Sequence, residues 1–331
     1  MSIWHIYGGN RLTGSTRVQG AKNAVLPIMA ASVLSGGETV LHNVPDLRDV
    51  MTTLRILQHL GCTAVRDGDT VRIDSRGMHC DFIPHALMRE LRSSVIFLGA
   101  ILARFGTARL SMPGGCELGP RPVNLHLDAL RALGAEVTER GGDIICRAHA
   151  LQGRRILLPF PSVGATENAM LAACAAAGET VICNAAREPE IADLQCYLRK
   201  LGADISGAGT STVTVGGFRP RPFVEHTIMP DRIVAATILC AAAACGGEVE
   251  LQDVDPAHFS TVLDSLSEAG CAIITTASAV RLTSDGQLTA PRPVVTQPYP
   301  GFPTDAQPPL MAACLRAKGT TVVNENIFTN P

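Results

Sequence analysis

The sequence predicts an α/β protein that is built from a repeated β-α-β-α-β-β unit and divided into two domains. Three observations predict this fold. A glycine pattern recurs about every 70 residues, two helical stretches are apolar nearly all round, and the 331 residues exceed one ordinary domain. Apolar residues make up 46% of the chain and charged residues 18%, a composition that supports a sizeable core and excludes global disorder.

Two interleaved glycine signals define the repeated unit. The first places a glycine between a small-residue helix end and a short β-like run, and it occurs at Gly37, Gly106, Gly178, Gly247 and Gly319. The intervals between these glycines are 69, 72, 69 and 72 residues. The second signal, of the type LQHLGCTAV, has glycines at 61, 134, 202 and 270. A fixed period of this kind indicates one supersecondary unit copied along the chain.

The order of elements follows from the residues that end each of them. An alanine- and leucine-rich helix ends at the first glycine, which favours the left-handed conformation that closes a helix. A strand follows, then a second helix such as 47–60, then two strands around a polar turn such as 67–69. The stretches 164–177 and 233–245 are apolar nearly all round, so we expect helices inside and sheets outside.

The repeat count predicts that the second domain is incomplete. Four units are present in full and a fifth begins at Gly319. If the units group in threes, six of them need roughly 420 residues, about 90 more than the chain has, and we expect a C-terminally truncated chain. Apolar helix faces in the fourth and fifth units should then be uncovered.

Charge and cysteine content exclude several classes of protein. The formal charge is −2, from 28 basic and 30 acidic residues, which argues against a general nucleic-acid or membrane-surface binder. The 11 cysteines contain no CxxC pair, which favours free thiols in a reducing compartment over zinc or disulfide frameworks. No signal-peptide pattern opens the sequence, and the longest apolar run, 13 residues, is shorter than the roughly 20 that span a bilayer. We therefore expect a cytoplasmic protein.

The loop 111–122 is the most informative segment of the chain. Three glycines and three prolines in twelve residues exclude a helix and a central strand. Cys116 is expected to be exposed there, and Arg121 would lower the pKa of its thiol and make it usable as a nucleophile or a proton donor. An incidental loop cysteine is the alternative, and spacing alone does not separate the two. His126, on the helix that follows, is interpreted as structural.

Two further segments suit anionic or acid–base chemistry. Lys22 and Asn23 lie at a strand-to-helix junction, where free backbone N–H groups make an anion site; an ordinary solvated lysine is the alternative. The turn 300–305 would present Asp305 at a helix N-terminus, either as a base or as part of the cap. The patterns GxxxxGK[ST] and GxGxxG are absent, so neither a P-loop nor a nucleotide-type redox fold is supported.

Three arginines are candidate phosphate or carboxylate ligands, because a guanidinium group can donate two parallel hydrogen bonds. They are Arg92, Arg121 and Arg232. Most arginines are only solvated, so each of these three alone is a weak indication.

Six motifs together resemble a known family of enzymes. They are QGAKNAVLP (19–27), PGGCELGPRPVNLH (113–126), PSVGATENAM (161–170), NAAREPEI (184–191), MPDRI (229–233) and PGFPTDAQ (300–307). In this order, over the whole chain, they resemble the UDP-N-acetylglucosamine 1-carboxyvinyltransferase (MurA) family of enolpyruvyl transferases. The resemblance implies an inside-out α/β barrel fold: two domains, each of three βαβαββ units with internal helices. It also implies a three-repeat domain with the cysteine loop over 22–229, and a second domain of 1–21 plus 230–331 that lacks most of its last repeat.

The resemblance implies transfer of an enolpyruvyl group from phosphoenolpyruvate to the 3′-hydroxyl of UDP-N-acetylglucosamine, the step that opens peptidoglycan synthesis. The hydroxyl adds to C2 of the enol while C3 gains a proton, and loss of phosphate then restores the double bond. Such chemistry needs a proton donor, a base and several cations. The implied partners are the two substrates, with no nucleic acid and no membrane. No metal or organic cofactor is implied, because phosphoenolpyruvate brings its own activated group.

The resemblance also assigns roles to single residues. Cys116 is implied as the loop acid and the residue that fosfomycin alkylates, and Asp305 as the base near the attacking hydroxyl. The residues implied to face phosphoenolpyruvate are Lys22 and Asn23, with Arg92 and Arg121 assisting. Those implied to line the uridine nucleotide are Arg121, Pro122, Val123, Asn124, Leu125, Ser162, Val163 and Ile327. The family usually has aspartate where Asn124 stands, which implies a weaker contact with uracil.

Two alternatives to this enzyme are kept. The sister family, 5-enolpyruvylshikimate-3-phosphate synthase, shares the fold and phosphoenolpyruvate, but it lacks the PGGC loop and the PSVGAT segment. The other alternative is a catalytically inactive homologue that binds the nucleotide sugar or a regulatory partner. The missing sixth unit favours it, and the intact Lys22, Asn23, Cys116 and Asp305 disfavour it.

Overall fold

The structure is a computed structural model, and it describes residues 3–5, 7–111 and 123–327, with the side chain of Arg92 also outside the description. The chain folds into two compact units. Gly20–Met229 forms the larger unit, and the smaller one joins the described residues up to Gln19 to those from Pro230 onward.

The larger unit contains three four-stranded sheets with one shared topology. In each sheet the first strand pairs in parallel with the second, and two antiparallel strands follow. The first sheet takes its parallel edge strand from the end of the unit, which closes the unit on itself. In order across each sheet, the strands are Phe223–Thr227, Glu38–His42, Thr70–Asp74 and Thr63–Asp67; Phe82–Ile83, Thr107–Ser111, Asp143–Arg147 and Glu136–Arg140; and Arg155–Leu157, Thr180–Cys183, Thr212–Phe218 and Ala203–Ser206.

The helices of the larger unit fill its interior and support the sheets. The α-helices are Lys22–Ala31, Arg48–His59, His85–Glu90, Phe97–Phe105, Asn124–Ala132, Val163–Ala173 and Pro189–Leu201, and the 3₁₀ helices are Ser32–Leu34 and Arg92–Ile96. Every residue from Ala165 to Ala173 is buried, and so is every residue from Ala24 to Ala31. Because strands such as Thr63–Asp67 expose alternate side chains, the sheets form the outer layer and the apolar helices form the core. The predicted arrangement of helices inside and sheets outside is confirmed.

The smaller unit contains one four-stranded sheet of the same topology and a separate two-stranded parallel pair. Its four-stranded sheet consists, in order, of Leu12–Arg17, Gly247–Gln252, Ala279–Ser284 and Ala272–Thr275, and a parallel pair is formed by Val294–Val295 and Val323–Asn324. Its α-helices are Arg232–Cys245, Ser260–Glu268 and Gln307–Cys314, with 3₁₀ helices at Pro256–Phe259 and Thr304–Ala306. A separate apolar cluster forms the core of this unit. The predicted β-α-β-α-β-β unit is therefore present in both parts of the chain.

Two details of the sequence interpretation need correction. The first glycine of the repeat takes a left-handed conformation at Gly106, with φ of 71°, but in the first copy Gly36 and not Gly37 has the positive φ, 61°. The Arg232–Cys245 helix is not buried on all sides, since Thr237, Ala241 and Cys245 are exposed one turn apart. The reason is that the four-stranded sheet and the Gln307–Cys314 helix cover only part of its circumference.

Exposed apolar side chains also lie on the last described helix of the chain. Met311 is 47% exposed and Leu315, directly after the helix Gln307–Cys314, is 85% exposed, while Leu310 on its other side is buried. Met311 and Leu315 are thus exposed apolar surface at this helix, and the incomplete last repeat stays a prediction. Among the described residues, no helix combines the length and apolar character needed to cross a bilayer.

Candidate active site

The first candidate segment is the start of the Lys22–Ala31 helix. A Cβ on Gly20 would lie 1.8 Å from the carbonyl oxygen of Asn43, so only glycine allows this close passage of the backbone into the helix. Ala21, the N-cap residue of this helix, makes no side-chain hydrogen bond as a cap, and the first turn holds no acidic residue. Lys22 is half-exposed, and its Nζ lies 3.7 Å from the carboxylate of Asp49. A helix start with this lysine and with no acidic residue in its first turn suits an anion, although Asp49 lies beside the lysine, and the predicted anion site stays a prediction.

The predicted uridine-binding segments are the starts of two neighbouring helices. Asn124 is the exposed first residue of Asn124–Ala132, and Val123 precedes it at the N-cap position. Ser162 caps the Val163–Ala173 helix, because its Oγ accepts a hydrogen bond from the Ala165 N–H at 3.4 Å. The structure thus places Val123, Asn124, Ser162 and Val163 at helix starts, and Leu125 lies in the first turn of the Asn124–Ala132 helix.

One histidine joins these two helix starts. His126 Nδ1 accepts a hydrogen bond from Nδ2 of Asn168 at 2.7 Å. A Cβ on Gly164 would lie 2.7 Å from His126 Cε1, so the imidazole packs directly on the first turn of the second helix. Burial lowers the pKa of His126 to about 4, so the ring is neutral at pH 7 and its Nδ1 can accept. His126 therefore connects the helix that carries residues 124–125 to the helix that follows Ser162, which agrees with a structural role for this histidine.

Asn168 extends this connection to the segment that carries Arg92. Its Oδ1 accepts a hydrogen bond from the Gly99 N–H at 2.7 Å, and its Nδ2 also donates to the Val95 carbonyl at 3.0 Å. Val95 belongs to the 3₁₀ helix Arg92–Ile96, and Asn168 itself is fully buried. Sequence reasoning missed Asn168, although a lone asparagine in a helix that is apolar nearly all round is a signal that could have found it.

A buried carboxylate follows directly on the same helix. Glu167 is 6% exposed, and its pKa is raised well above the ordinary value, first by burial and then by the neighbouring charges of Glu190 and Glu188. Glu190 is itself buried, at the start of the Pro189–Leu201 helix. The sequence analysis quoted these residues within motifs but gave none of them a role.

Four predicted site residues are not located. Cys116, Arg121 and Pro122 lie outside the described residues, and so does the side chain of Arg92. Burial raises the pKa of Cys146, Cys174 and Cys240 to about 12, so these thiols are protonated at neutral pH. The roles of Cys116, Arg121, Pro122 and Arg92 stay predictions.

The smaller unit carries the remaining candidates. Arg232, the first residue of the Arg232–Cys245 helix, is 6% exposed, and its guanidinium carbon lies 5.6 Å from the centre of the Tyr299 ring. Asp231 caps this helix, because its Oδ1 accepts hydrogen bonds from two backbone N–H groups, those of Ile233 and Val234. Arg232 is thus packed on an aromatic ring, and an anion-binding role for it stays a prediction.

Asp305 and Ile327 lie on two segments that share one carboxylate. Asp305 is exposed, in the 3₁₀ helix Thr304–Ala306, and the N-cap residue of that helix, Pro303, makes no side-chain hydrogen bond as a cap. The hydroxyl of Thr304 and the N–H of Ile327 both donate to the carboxylate of Glu325. An exposed carboxylate on a braced turn can act as a base. Sequence reasoning missed Glu325, which has no local pattern that would mark it.

Comparison with known proteins identifies the family. A family model described as EPSP synthase (3-phosphoshikimate 1-carboxyvinyltransferase) matches residues 6–330. The UDP-N-acetylglucosamine 1-carboxyvinyltransferase 2 of Caldanaerobacter subterraneus subsp. tengcongensis is 46% identical over 330 residues, which are 100% of this chain and 79% of the relative. The chain belongs to this carboxyvinyltransferase family. The resemblance seen in the six motifs is thereby confirmed.

Two further relatives of this carboxyvinyltransferase agree with the assignment. UDP-N-acetylglucosamine 1-carboxyvinyltransferase 1 of Symbiobacterium thermophilum is 48% identical over 331 residues, which are 98% of this chain and 75% of the relative. The crystal structure of the enolpyruvyl transferase NikO from Streptomyces tendae superimposes with a TM-score of 0.84 at 26% identity, covering 97% of this chain and 76% of that one. The predicted enolpyruvyl transferase fold is confirmed by this similarity.

Proposed function

We propose that this chain transfers the enolpyruvyl group of phosphoenolpyruvate to the 3′-hydroxyl of UDP-N-acetylglucosamine and releases phosphate. One observation carries the proposal: relatives 46% and 48% identical over 98% or more of the chain are carboxyvinyltransferases named for UDP-N-acetylglucosamine. The description of the family model names 3-phosphoshikimate, but the relatives with this high identity favour the nucleotide sugar. The catalytically inactive homologue is not favoured.

The two anionic substrates have candidate partners in the chain. Lys22 and Asn23, at the start of a helix whose first turn holds no acidic residue, are proposed to bind phosphoenolpyruvate, assisted by Arg92 and Arg121. Arg232 is kept as a further cationic ligand. The proposed uridine-lining residues are Arg121, Pro122, Val123, Asn124, Leu125, Ser162, Val163 and Ile327. Support comes from the contact between His126 and Gly164, which joins two of these segments.

The proposed chemistry needs one acid and one base. The oxygen of the 3′-hydroxyl bonds to C2 while Asp305 takes the proton of that hydroxyl, and Cys116 gives a proton to C3. In the second step the thiolate of Cys116 takes a proton back from C3, the bond between C2 and the phosphate oxygen breaks with its electron pair on the phosphate, and the double bond is restored. The exposure of Asp305 on its turn supports its role as the base. No metal or organic cofactor enters this balance.

The product would be the enolpyruvyl ether of UDP-N-acetylglucosamine, and the reaction would be the first committed step of peptidoglycan synthesis, and thus of cell-wall biogenesis. We place the reaction in the cytoplasm, because the ten described cysteines are free, as in a reducing compartment. We further propose that the Gly20–Met229 unit corresponds to the predicted domain of 22–229, and that the smaller unit is the second domain.

Phosphate release tests the proposal. Purified protein is incubated with phosphoenolpyruvate and UDP-N-acetylglucosamine, singly and together, and inorganic phosphate is measured over time. We expect release only with both substrates, and a fall of at least 100-fold for Lys22→Ala but no change for Lys318→Ala, an exposed lysine outside the candidate segments. Release without the nucleotide sugar, or no release with both substrates, would contradict the proposal.

A further inference from the structure

Glu325 brings together three separate pieces of the smaller unit. Its Oε1 accepts hydrogen bonds from the Thr296 hydroxyl at 2.9 Å and from the Ile327 N–H at 2.7 Å. Its Oε2 accepts a hydrogen bond from the Thr304 hydroxyl at 2.9 Å. Hydrogen bonds to a charged acceptor are about twice as strong as neutral ones, so one carboxylate holds three donors firmly.

Buried Thr296 completes the network. Its side chain has no exposed surface, and its Oγ1 accepts a hydrogen bond from the Asn326 N–H at 2.8 Å while it donates to Glu325. The backbone that follows Glu325 is therefore fixed at two residues, at Asn326 by Thr296 and at Ile327 by Glu325 itself.

The network does not serve to hold the nearby sheet together. The parallel pair of Val294–Val295 with Val323–Asn324 has its own backbone hydrogen bonds, from Val294 N to Val322 O and from Thr296 N to Asn324 O, each 3.0 Å. The helix Gln307–Cys314 is anchored separately, by buried side chains such as Leu310. A change at Glu325 should therefore leave the fold of this unit intact.

The segments that the carboxylate holds are those with Asp305 and Ile327. Thr304 begins the 3₁₀ helix that carries Asp305, whose own side chain is exposed. The hydrogen bond from the Thr304 hydroxyl to the carboxylate of Glu325 thus connects this turn to Glu325, and it is called the brace of the turn. Ile327, the proposed nucleotide contact, is held by its backbone N–H on the same carboxylate.

We propose that Glu325 is a positioning residue of the transferase, which sets the turn that carries Asp305 and the backbone of Ile327 in one arrangement. It touches neither substrate and acts through Thr304 and Ile327. The inference rests on the proposed function, since it takes Asp305 as the base. Because misplacement of a catalytic group by about 1 Å can cost about 100-fold in rate, the loss of this brace should reduce turnover.

The test compares Glu325→Ala and Glu325→Gln with Glu268→Ala. Glu268 is the matched control because it is a carboxylate of the same unit that accepts hydrogen bonds from Arg292, including one from its Nε at 2.8 Å. Glutamine keeps the acceptor for Thr296 and Ile327, and its amide can donate to the Thr304 hydroxyl, so it should rescue the function.

We expect Glu325→Ala to lower kcat about 100-fold and to raise KM for UDP-N-acetylglucosamine several-fold, with KM for phosphoenolpyruvate unchanged. The kcat and KM values of Glu325→Gln should stay within about threefold of those of the parent, and the values of Glu268→Ala should equal those of the parent. If Glu325→Ala has the same kinetic constants as Glu268→Ala, or if Glu325→Gln is as impaired as Glu325→Ala, Glu325 is not a positioning residue.

Amide hydrogen exchange separates this inference from the proposed function. Even without turnover, Glu325→Ala should speed exchange at Ile327 and at Ala306, whose N–H donates to the Pro303 carbonyl at 3.0 Å, by tenfold or more. Glu325→Gln and Glu268→Ala should leave both amides unchanged. Absent turnover in the parent protein would overturn the proposed function alone, whereas unchanged exchange in Glu325→Ala would overturn the brace.

Discussion

Substitution of Asn168 by alanine should destabilise the larger unit strongly. The side chain makes three hydrogen bonds at 2.7–3.0 Å from a fully buried position, to Gly99, Val95 and His126. Alanine removes the partner of the Gly99 N–H and of His126 Nδ1, whereas the Val95 carbonyl still accepts from the backbone N–H of Phe97. Each orphaned buried group costs about 1–3 kcal/mol, so the two together cost about 2–6 kcal/mol. Against a typical stability of about 5–15 kcal/mol, this is a large fraction.

The assay is urea unfolding followed by far-ultraviolet circular dichroism at pH 7. Gln152→Ala is the control, because Gln152 is an exposed amide of the same unit, and it should stay within about 0.5 kcal/mol of the parent. If Asn168→Ala were no less stable than Gln152→Ala, the connection of the three segments through Asn168 would have no energetic weight.

Three further predictions concern ionisable side chains. Because the pKa of Glu167 is raised, the folded protein keeps a proton that the unfolded protein loses above about pH 4.5, so the free energy of unfolding should fall as pH rises. Thermal melts between pH 5 and 8 should show a flatter dependence of stability on pH for Glu167→Gln than for the parent. The pKa of His126, lowered to about 4, has the opposite effect: stability should fall by about 3 kcal/mol as pH decreases from about 6.5 to about 4, and urea melts of His126→Gln should lack this loss. Fosfomycin should add to Cys116 in intact-mass spectra of the parent and of Cys240→Ser, but not of Cys116→Ser, and an adduct on Cys116→Ser would contradict the assignment.

The sequence predicted the architecture well because its signals are local. Glycines at intervals of 69 and 72 residues mark helix ends and strand starts, and these need only neighbouring residues to be interpreted. The turn at 67–69 was predicted in the same way, and Asp67 indeed pairs with Thr70 across it. The extent of burial was harder to predict. Whether a face of the helix Arg232–Cys245 is buried depends on which other segments of the chain pack against it.

The sequence names the motif residues of the candidate site, whose roles stay predictions, and it misses the residues that connect them. Asn168 contacts Gly99 and His126 across 69 and 42 residues of sequence, and Glu325 contacts Thr296 across 29. Contacts over such separations leave no periodic pattern in one chain, although the lone asparagine in an apolar helix is a local sign of Asn168. The resemblance supplied residues such as Lys22 and Asp305, and the structure adds the hydrogen bonds that hold some of their neighbours.

The product of the reaction tests the central claim most directly. After incubation with phosphoenolpyruvate and UDP-N-acetylglucosamine, mass spectrometry should show the enolpyruvyl ether of the nucleotide sugar in a one-to-one ratio with released phosphate. Shikimate 3-phosphate offered in place of the nucleotide sugar should give no product. Unchanged UDP-N-acetylglucosamine, or an enolpyruvyl product from shikimate 3-phosphate instead, would contradict the account.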